Sequence, residues 1–415
     1  MTTLPSCDNL PTHTLTVDQA QTRILEAIQP LIHTETIPLK QGLGRVLAAA
    51  IIAPFNVPPH RNSAMDGYAL NSQALPTGLQ QFRVIGRSLA GHPFQGTVQA
   101  GECVRIMTGA VVPQGADTVL MQEEVQRSAD HITYQGEIKA NKNIRHPGED
   151  LAQGAEVLSE GRVLNAADLG LIASLGIAQL TVWRRPKVAI ISTGDELVPV
   201  GQPLGEGQIH DSNRYTLLGL LQRLAVEVID LGIVPDDPIQ LEQAFQRATE
   251  QADVLITTGG VSVGDADYVT QLLERLGQVN FWKIAMKPGK PLTFGQLGQC
   301  AFFGLPGNPV STMVTFLIFV RPALMRLAHY PDAMPITYKA KTLTTLKKAP
   351  GRQDYQRGIC HQDEHGQWWV KSTGFQDSHV LRSMSVANCL MVLAREWGDI
   401  EQGTEIPIMP FAPLF

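Results

Sequence analysis

Three loops with the residue types that bind anions lie within residues 251–311 of this sequence. They are Asp253-Val-Leu-Ile-Thr-Thr-Gly-Gly-Val-Ser-Val-Gly-Asp265, Met286-Lys-Pro-Gly-Lys-Pro291 and Gly304-Leu-Pro-Gly-Asn-Pro-Val-Ser311. Two of them follow an apolar run typical of a strand, and the third leads into an apolar helix. Exposed backbone N–H groups, helix N-termini and lysines all bind negative charge. We therefore expect these loops to bind a small oxyanion or a phosphorylated ligand.

Basic side chains are concentrated beside these loops. Lys283, Lys287 and Lys290 occur within eight residues of an acidic chain. A run of charges is usually a solvated face, but Pro288-Gly289 interrupts the periodicity and predicts a loop. The C-terminal region adds a second group of basic and hydroxyl residues: Arg352, Arg357, Arg382 and Ser383. The sequence leaves open whether this group meets the lysines.

Acidic side chains also follow the predicted strands. Ser192-Thr-Gly-Asp-Glu-Leu197 and Asp236-Asp237-Pro238 each come directly after an apolar run, and Asp265 and Asp267 end the glycine-rich loop. Carboxylate oxygens at strand ends are ligands that Mg²⁺ accepts beside phosphate. The alternatives are a capping turn, a helix N-cap and a tight turn without a ligand. The glycine-rich loop matches neither the P-loop nor the dinucleotide-binding pattern.

These loops need a sheet that brings them to one edge. From residue 186 apolar strands alternate with helices, which predicts an α/β domain with a doubly wound, mainly parallel sheet over 186–329. Residues 1–185 form an N-terminal region, with Thr16 capping its first helix and an inserted β subdomain at about 54–147. Residues 330–415 are rich in β patterns and glycine, which predicts a small β-barrel or sandwich.

Composition narrows the class of protein. A 415-residue chain with 44% hydrophobic residues and a net charge of −6 is typical of a globular protein and argues against nucleic-acid binding. No apolar run of transmembrane length and no secretory signal are evident, so we expect a cytoplasmic protein without a membrane span. The five scattered cysteines predict reduced thiols. The histidines lack zinc-site spacing, and no G-x-S-x-G motif occurs.

Seven motifs in order resemble the molybdopterin molybdenumtransferase family, which includes MoeA and the gephyrin E domain. The similarity covers nearly the whole chain and implies a multidomain α/β fold with a MogA-like central domain. The motifs are Pro58-Pro-His-Arg-Asn-Ser-Ala-Met-Asp-Gly-Tyr-Ala69, Arg105-Ile-Met-Thr-Gly-Ala110, Asn143-Ile-Arg-His-Pro-Gly-Glu-Asp150, Ser192-Thr-Gly-Asp-Glu-Leu197, Gly259-Gly-Val-Ser-Val-Gly-Asp-Ala-Asp-Tyr268, Lys287-Pro-Gly-Lys-Pro291 and Gly304-Leu-Pro-Gly-Asn-Pro-Val-Ser311.

The resemblance implies that molybdate is inserted into adenylylated molybdopterin with Mg²⁺ present, giving molybdenum cofactor and AMP. It also implies a homodimer whose active cleft lies between subunits, and contacts with other proteins of cofactor biosynthesis. Glu196, Asp236 and Asp267 would be the catalytic and Mg²⁺-binding carboxylates. The expected substrate-binding residues are Asp66, Thr108, Thr193, Gly259, Gly260, Ser262, Lys283, Lys287, Lys290, Pro306, Pro309, Ser311, Arg352 and Ser383.

One position departs from the family pattern, and two other functions compete. His60-Arg61 stands where many members carry Phe-Asp, so a carboxylate role is not transferred there. A MogA-type adenylyltransferase would use ATP on free molybdopterin, but it would not need the N-terminal region and the C-terminal β domain. A binding scaffold, as the gephyrin E domain also is, would not need Glu196, Asp236 and Asp267 around an anion loop.

Overall fold

The structure is a computed structural model, and it describes residues 14–73, 79–259, 272–273, 275–331 and 334–412. It divides into two compact units, which are described separately. The insert unit comprises Thr36–Leu43 and Leu47–Leu180, and the main unit comprises Met1–Glu35, Gly44–Val46 and Thr181–Phe415. The insert unit contains the β subdomain predicted at 54–147.

The first helix, α1 (Val17–Ala27), begins where the sequence predicts it. The Thr16 hydroxyl accepts a hydrogen bond from the Gln19 N–H at 3.2 Å, and the Gln19 side chain accepts one from the Thr16 N–H at 3.0 Å. This capping box satisfies two backbone donors that the helix itself leaves free. The apolar face of α1 joins the core of the main unit, and strand β1 (Thr34–Pro38) follows.

The insert unit is mainly β-structure, as predicted. Strands β4 to β9 form one sheet in the order β7-β4-β6-β5-β9-β8, in which only β5 and β6 are parallel. Successive side chains alternate between two cores, with Ala69 in one core and Tyr68 and Leu70 in the other. The elements are β2 (Ile51–Ile52), β3 (Asn62–Ser63), β4 (Gly67–Leu70), β5 (Leu79–Ser88), β6 (Glu102–Ile106), β7 (Thr118–Met121), β8 (Val125–Ser128), β9 (His131–Gln135), β10 (Ile144–Arg145), β11 (Glu156–Leu158), α2 (Ala166–Ser174) and 3₁₀ turns at Leu39–Gln41 and Gln122–Glu124.

The chain then continues through strand β12 (Gln179–Trp183) into an α/β region. Its elements are β13 (Lys187–Thr193), β14 (Leu197–Val198), β15 (Ile209–His210), α3 (Ser212–Gln222), β16 (Glu227–Val234), α4 (Pro238–Gln251), β17 (Val254–Thr258), β18 (Gln278–Lys283), β19 (Met286–Lys287), β20 (Pro291–Leu297), β21 (Cys300–Leu305), α5 (Pro309–Thr315), a π-helical turn (Phe316–Val320) and α6 (Arg321–Leu327). The helix predicted at 268–276 lies largely outside the described residues.

The α/β region contains the predicted doubly wound sheet. Its strand order is β16-β13-β17-β21-β20-β18, with parallel pairing from β16 to β21 and antiparallel pairing beyond. Along β13, Val188 and Ile190 face one core, and Ala189 and Ile191 face the other. Helix α3 packs in the first core and α4 in the second. Both faces are therefore covered, as continuous apolar strands require.

A long apolar helix, Pro309–Leu327, lies in the core of the main unit. The expectation that no apolar run reaches transmembrane length is wrong here, because this helix is long and apolar enough to cross a membrane, but 89% of the relevant window is buried inside the protein. Such burial is typical of a core helix. Pro309 occupies its first turn, where proline is favoured, whereas Asn308 takes the N-cap position without a side-chain capping bond. The Asn308 carbonyl instead accepts a hydrogen bond from the Thr312 hydroxyl at 3.0 Å.

The C-terminal region is a closed barrel, which decides between the two predicted forms. Its strands pair in the order β23-β24-β22-β26-β25, and β25 pairs back to β23. Closure removes exposed strand edges. The elements are β22 (Tyr338–Thr342), β23 (Gln353–Gln362), β24 (Trp368–Ser372), α7 (Leu381–Val386), β25 (Cys389–Leu393) and β26 (Glu405–Pro410).

An ion pair secures the start of the parallel sheet. Arg184 donates two hydrogen bonds of 2.7 Å to the Asp253 carboxylate, which also accepts the Lys187 N–H at 2.7 Å. Burial alone would raise the pKa of Asp253, but these bonds outweigh it and hold that pKa below its ordinary value. The folded state therefore binds fewer protons here than the unfolded chain. Stability from this carboxylate is present above the unfolded pKa and is lost as pH falls through the folded one.

We predict that Asp253→Asn lowers the free energy of unfolding at neutral pH by about 1–3 kcal/mol, because a partly buried arginine loses its charged partner. The penalty should begin to shrink as pH falls below about 4, where the carboxylate of the unfolded chain becomes protonated, and it should vanish only below the lowered pKa of the folded state. Urea unfolding across a pH series measures it. The control Glu405→Gln breaks the exposed pair with Lys339 and should cost less than about 0.5 kcal/mol. A penalty for Asp253→Asn that is independent of pH would contradict this account.

Candidate active site

Three parallel strands of the main unit end at one edge, and their turns are in contact there. Ser192 of β13 pairs with Thr258 of β17, which pairs with Leu305 of β21. Gly259, directly after β17, has a φ of +81°, and a Cβ there would clash with the Thr193 carbonyl oxygen. A Cβ on Gly307 would lie 3.9 Å from the Gly259 Cα. The turns after β13, β17 and β21 therefore form one continuous backbone surface.

The loop Met286–Pro291, here named the lysine loop, is fixed to both the long helix Pro309–Leu327 and the barrel. Strand β19 pairs in parallel with β23, with Met286 opposite Gln353, so Arg352 lies beside the lysine loop. The Ile284 N–H donates to the Lys290 carbonyl at 2.8 Å and closes the loop. Gly289 has a φ of +101°, and a Cβ there would lie 2.6 Å from the Thr315 side chain. Only glycine allows this close approach to the long helix.

A third segment, residues 373–379, follows β24 and reaches the start of the same helix. The Val310 N–H donates a hydrogen bond of 3.1 Å to the Ser378 carbonyl. The Gln376 side chain accepts the Arg357 N–H at 2.8 Å and donates to the Ser372 hydroxyl at 3.0 Å. These bonds hold the segment against the N-terminus of the helix.

Together these segments surround a cavity of about 570 Å³, here named the anion cavity. Lys287, Lys290 and Arg352 contribute three permanent positive charges to its lining, and Asp377 contributes one carboxylate. The N-terminus of the long helix adds positive potential at Asn308 and Ser311. Its lining residues are Gly259, Met286, Lys287, Pro288, Gly289, Lys290, Pro291, Pro306, Gly307, Asn308, Ser311, Arg352, Gln376, Asp377, Ser378 and His379. The arrangement suits a ligand with at least two negative charges.

The structure brings together many of the residues singled out in the sequence. The members of that set lining the anion cavity are Gly259, Lys287, Lys290, Pro306, Ser311 and Arg352. Gly260, Ser262 and Asp267 lie outside the described residues. The convergence of Arg352 with the lysines, which the sequence left open, follows from the pairing of β19 with β23.

Six predicted substrate-binding residues lie elsewhere: Asp66 and Thr108 in the insert unit, and four in the main unit. Thr193 is 1% exposed and lies beneath Gly259, and its hydroxyl has no hydrogen-bond partner among the described residues. Lys283 is exposed at the end of β18, and Pro309 starts the long helix behind Asn308. Ser383 is in helix α7, where its buried hydroxyl accepts a bond from Arg357 at 2.9 Å. None of these four lines the cavity, and their role in binding stays a prediction.

The sequence places Asn308 in the predicted anion-binding loop 304–311, and Asn308 lines the cavity. Sequence reasoning missed four other polar residues of the lining, which are Gln376, Asp377, Ser378 and His379. A usable signal was present, because Thr373-Gly374 punctuates the sequence soon after an apolar run. The serine chosen from this region was Ser383, which belongs to a short helix that the β-rich reading did not include. Asn213 was also missed, and its side chain donates to the Gly307 carbonyl at 2.7 Å.

Two of the three predicted catalytic carboxylates lie at the same edge of the sheet. Glu196 and Asp236 are exposed and follow β13 and β16, whose ends pair at Thr193 and Val234. The Asp195 carboxylate accepts the Asp236 N–H at 3.2 Å and joins the two turns. Asp237 caps α4, so the capping alternative is correct for that residue. Within the described ranges, which omit Asp267, no cluster of three or more potential metal ligands is found.

Asp66 and Thr108 meet within the insert unit. The Asp66 carboxylate accepts bonds of 2.7 Å from both the backbone N–H and the hydroxyl of Thr108. These bonds to the ionised form lower the pKa of Asp66 below its ordinary value. The Asp66 carboxylate is therefore held ionised and in a fixed orientation.

Comparison with known proteins matches three regions that together make up most of the chain. Residues 15–176 match the MoeA N-terminal region (domain I and II), residues 189–326 a probable molybdopterin binding domain, and residues 339–411 the MoeA C-terminal region (domain IV). The chain is 48% identical over 402 residues to the molybdopterin molybdenumtransferase of Haemophilus influenzae, covering 96% of this chain and 99% of that protein. The chain belongs to the molybdopterin molybdenumtransferase family.

Other members of the molybdopterin molybdenumtransferase family agree in sequence and in fold. The enzyme of Nostoc sp. is 36% identical, with 91% of this chain and 88% of that protein covered. The crystal structure of the MoeA protein of Pyrococcus horikoshii has a TM-score of 0.81 and 27% identity, and the match covers 96% of this chain and 100% of that one. The protein is thus a transferase of molybdenum cofactor biosynthesis.

We predict that Gly259→Ala lowers the stability of the protein and weakens oxyanion binding at the anion cavity. A left-handed alanine alone costs about 1–2 kcal/mol, and the clash with Thr193 adds to that cost. Urea unfolding and calorimetric titration with molybdate measure the two effects. Gly403→Ala is the matched control, because Gly403 has a φ of +86° and nothing within 4 Å of its Cβ position. Equal penalties in the two variants would contradict a role for the close approach.

Proposed function

We propose that this protein inserts molybdate into adenylylated molybdopterin and releases AMP, in a reaction that depends on Mg²⁺. The observation that carries the proposal is the anion cavity, in which two lysines and an arginine converge on a helix N-terminus. Molybdate and the phosphoryl groups of the nucleotide substrate are both anions that such donors bind. Family membership supplies the substrate class, and the cavity supplies a place for its charged part.

The size and lining of the cavity support a substrate larger than one oxyanion. A volume of about 570 Å³ lies within the range of about 300–1,000 Å³ typical of small-molecule sites. Lys287, Lys290 and Arg352 would donate charge-assisted hydrogen bonds to oxyanion oxygens, and the Ser311 hydroxyl would add a neutral one. Holding molybdate beside the molybdopterin substrate would convert a bimolecular encounter into a reaction between positioned groups.

The carboxylates at the strand ends suit the predicted Mg²⁺. Glu196 and Asp236 offer exposed, hard oxygen ligands on adjoining turns, and Asp267 would be the third by its place in the sequence motif. Bound Mg²⁺ would offset negative charge on phosphate oxygens and so favour cleavage of the phosphoanhydride. The same carboxylates can orient water or accept its proton, which is the second role proposed for them.

Further parts of the proposal concern the assembly. We propose a homodimer in the cytoplasm that receives its substrate from other proteins of the same pathway. Asp66 and Thr108 would face the partner subunit's cleft and contact substrate there. Because the Asp66 carboxylate is ionised and held by Thr108, it suits the role of a hydrogen-bond acceptor or metal ligand better than the role of a proton donor.

The direct experiment mixes purified protein with adenylylated molybdopterin, molybdate and Mg²⁺, and follows AMP by chromatography. Formation of the molybdenum cofactor is monitored through its ability to activate a molybdenum-free apoenzyme. We expect AMP release that requires both molybdate and Mg²⁺. Folded protein that releases no AMP would end the insertase proposal. ATP consumption with free molybdopterin would favour the adenylyltransferase instead, and binding of partners without either reaction would favour a scaffold.

We predict that Lys287→Met and Lys290→Met each raise the KM for molybdate by about 10- to 100-fold, since each loses a hydrogen bond to a charged group. The effect of raised salt should be weaker in these variants, because less of their binding is electrostatic. Steady-state AMP release at two ionic strengths measures this. The control Lys371→Met removes an exposed lysine of β24 outside the cavity and should leave the KM unchanged.

We predict that Glu196→Ala and Asp267→Ala each lower the rate of AMP release by about 100-fold or more, the usual contribution of a positioned acid–base group. Glu196 is exposed, so its removal should leave the unfolding temperature nearly unchanged. The measurements are AMP release against Mg²⁺ concentration and thermal unfolding. Glu206→Ala removes another exposed glutamate of the main unit and should have no effect. Loss of the fold in Glu196→Ala would support a capping role instead.

A further inference from the structure

Two cysteines share the core of the C-terminal barrel. The described residues contain four cysteines, all free and buried. Cys103 and Cys300 lie in separate cores, whereas Cys360 of β23 and Cys389 of β25 belong to the same one. The pairing of β23 with β25 closes the barrel and sets Cys389 opposite Gly358. Because side chains alternate along a strand, Cys360 lies on the same side as Gly358 and is the diagonal neighbour of Cys389.

The surroundings of the two cysteines bring them together. A Cβ at Gly358 would lie 3.0 Å from the Cys389 Sγ, so the glycine leaves room for that sulfur beside Cys360. The Asn388 side chain accepts the Cys360 N–H at 2.7 Å and donates to the Cys360 carbonyl at 2.7 Å. The backbone of the first cysteine is therefore fastened to the residue that precedes the second.

The two thiols are in contact, and they differ in acidity. A hydrogen bond from Cys389 lowers the pKa of the Cys360 thiol below its ordinary value. The same hydrogen bond, together with burial, raises the pKa of Cys389. Since the thiolate is the reactive form of cysteine, Cys360 is the nucleophile of the pair.

Access to the two sulfurs differs in the same sense. Cys360 is 6% exposed and lines an apolar cavity of about 1000 Å³, which lies between helix α3, helix α7 and the barrel. Cys389 is 0% exposed and does not line that cavity. A small oxidant that enters the cavity therefore meets Cys360 before Cys389.

We propose that Cys360 and Cys389 form a redox-active dithiol, which a peroxide converts to a disulfide across the strands that close the barrel. The Cys360 thiolate attacks one peroxide oxygen, the O–O bond breaks, and hydroxide leaves, giving a sulfenic acid at Cys360. The Cys389 thiol then attacks this sulfur, the S–S bond forms, and water leaves. The proton released by Cys360 neutralises the hydroxide, so two thiols are oxidised and one peroxide is reduced to two waters.

The diagonal position of the pair makes this disulfide a reversible one. Diagonal neighbours in a sheet have Cα atoms about 7–8 Å apart, whereas a relaxed disulfide spans about 4.4–6.8 Å. Closure therefore requires a small movement of β23 against β25, and the bond that forms is strained. Strained disulfides are readily reduced by thiols, which suits a regulatory modification better than a structural bond.

The test treats the reduced, folded protein with hydrogen peroxide, blocks the remaining thiols with N-ethylmaleimide and maps the peptides by mass spectrometry. We expect two peptides joined through Cys360 and Cys389, lighter by two hydrogen atoms than the separate reduced peptides, and dithiothreitol should separate them. The Cys360 thiol should be lost at least about 100-fold faster than the Cys300 thiol. Burial raises the pKa of the Cys300 thiol to about 12.

Single variants separate the two roles. In Cys389→Ala the sulfenic acid at Cys360 has no thiol to attack it, and dimedone should trap it there. In Cys360→Ala the Cys389 thiol should stay reduced under the same treatment. Cys300→Ala is the matched control, because Cys300 is fully buried in a separate core, and this variant should form the disulfide at the wild-type rate.

The inference is overturned if peroxide leaves Cys360 reduced, if Cys360 is oxidised no faster than Cys300, or if Cys360 is oxidised without forming the bond to Cys389. The peptide map of the wild type decides among these outcomes, so a variant that fails to fold leaves the test intact. AMP release is not measured, and the result is therefore independent of the proposed function.

Discussion

Parallel pairing of β13, β17 and β21 is the constraint on which the site depends. Parallel strands end at the same edge of a sheet, so the turns that follow them must share the same small region. Backbones can come that close only where a side chain is absent. This is why a glycine occupies position 259, where the backbone is left-handed and lies against Thr193. The sheet therefore determines where glycines are needed, and a glycine also allows a backbone to approach a ligand closely.

The site is strongly basic in a protein that is acidic as a whole. The chain carries a net charge of −6, yet three permanent cations and a single carboxylate line the anion cavity. Lys287, Lys290 and Arg352 are brought together by backbone geometry: a glycine bend at the helix and the pairing of β19 with β23. Because the backbone segments that carry these charges are fixed, less ordering is needed when an anion binds, and more of the binding energy is preserved.

One helix connects the stability of the main unit to its chemistry. The helix Pro309–Leu327 is almost entirely buried, and its apolar body is the largest contributor to the first core of the sheet. Its N-terminus presents Asn308 and Ser311 to the cavity. Because the core fixes the axis of this helix, it also fixes the direction in which the positive end of its dipole points. A substitution deep in the helix can therefore alter binding without touching the ligand.

The sequence by itself determined most of the elements and their type, although not the short helix α7. Alternating apolar runs predicted the doubly wound sheet, Thr16 predicted the start of α1, and the glycine and proline motifs located the loops, because each of these signals is local in the chain. The tertiary structure alone decided which distant residues meet. It placed Arg352 beside the lysine loop through β19–β23 pairing, buried Arg357 in contact with Ser383, and brought Ser378 to the helix N-terminus. Pairing between strands far apart in sequence depends on packing of the whole unit, and no local pattern encodes it.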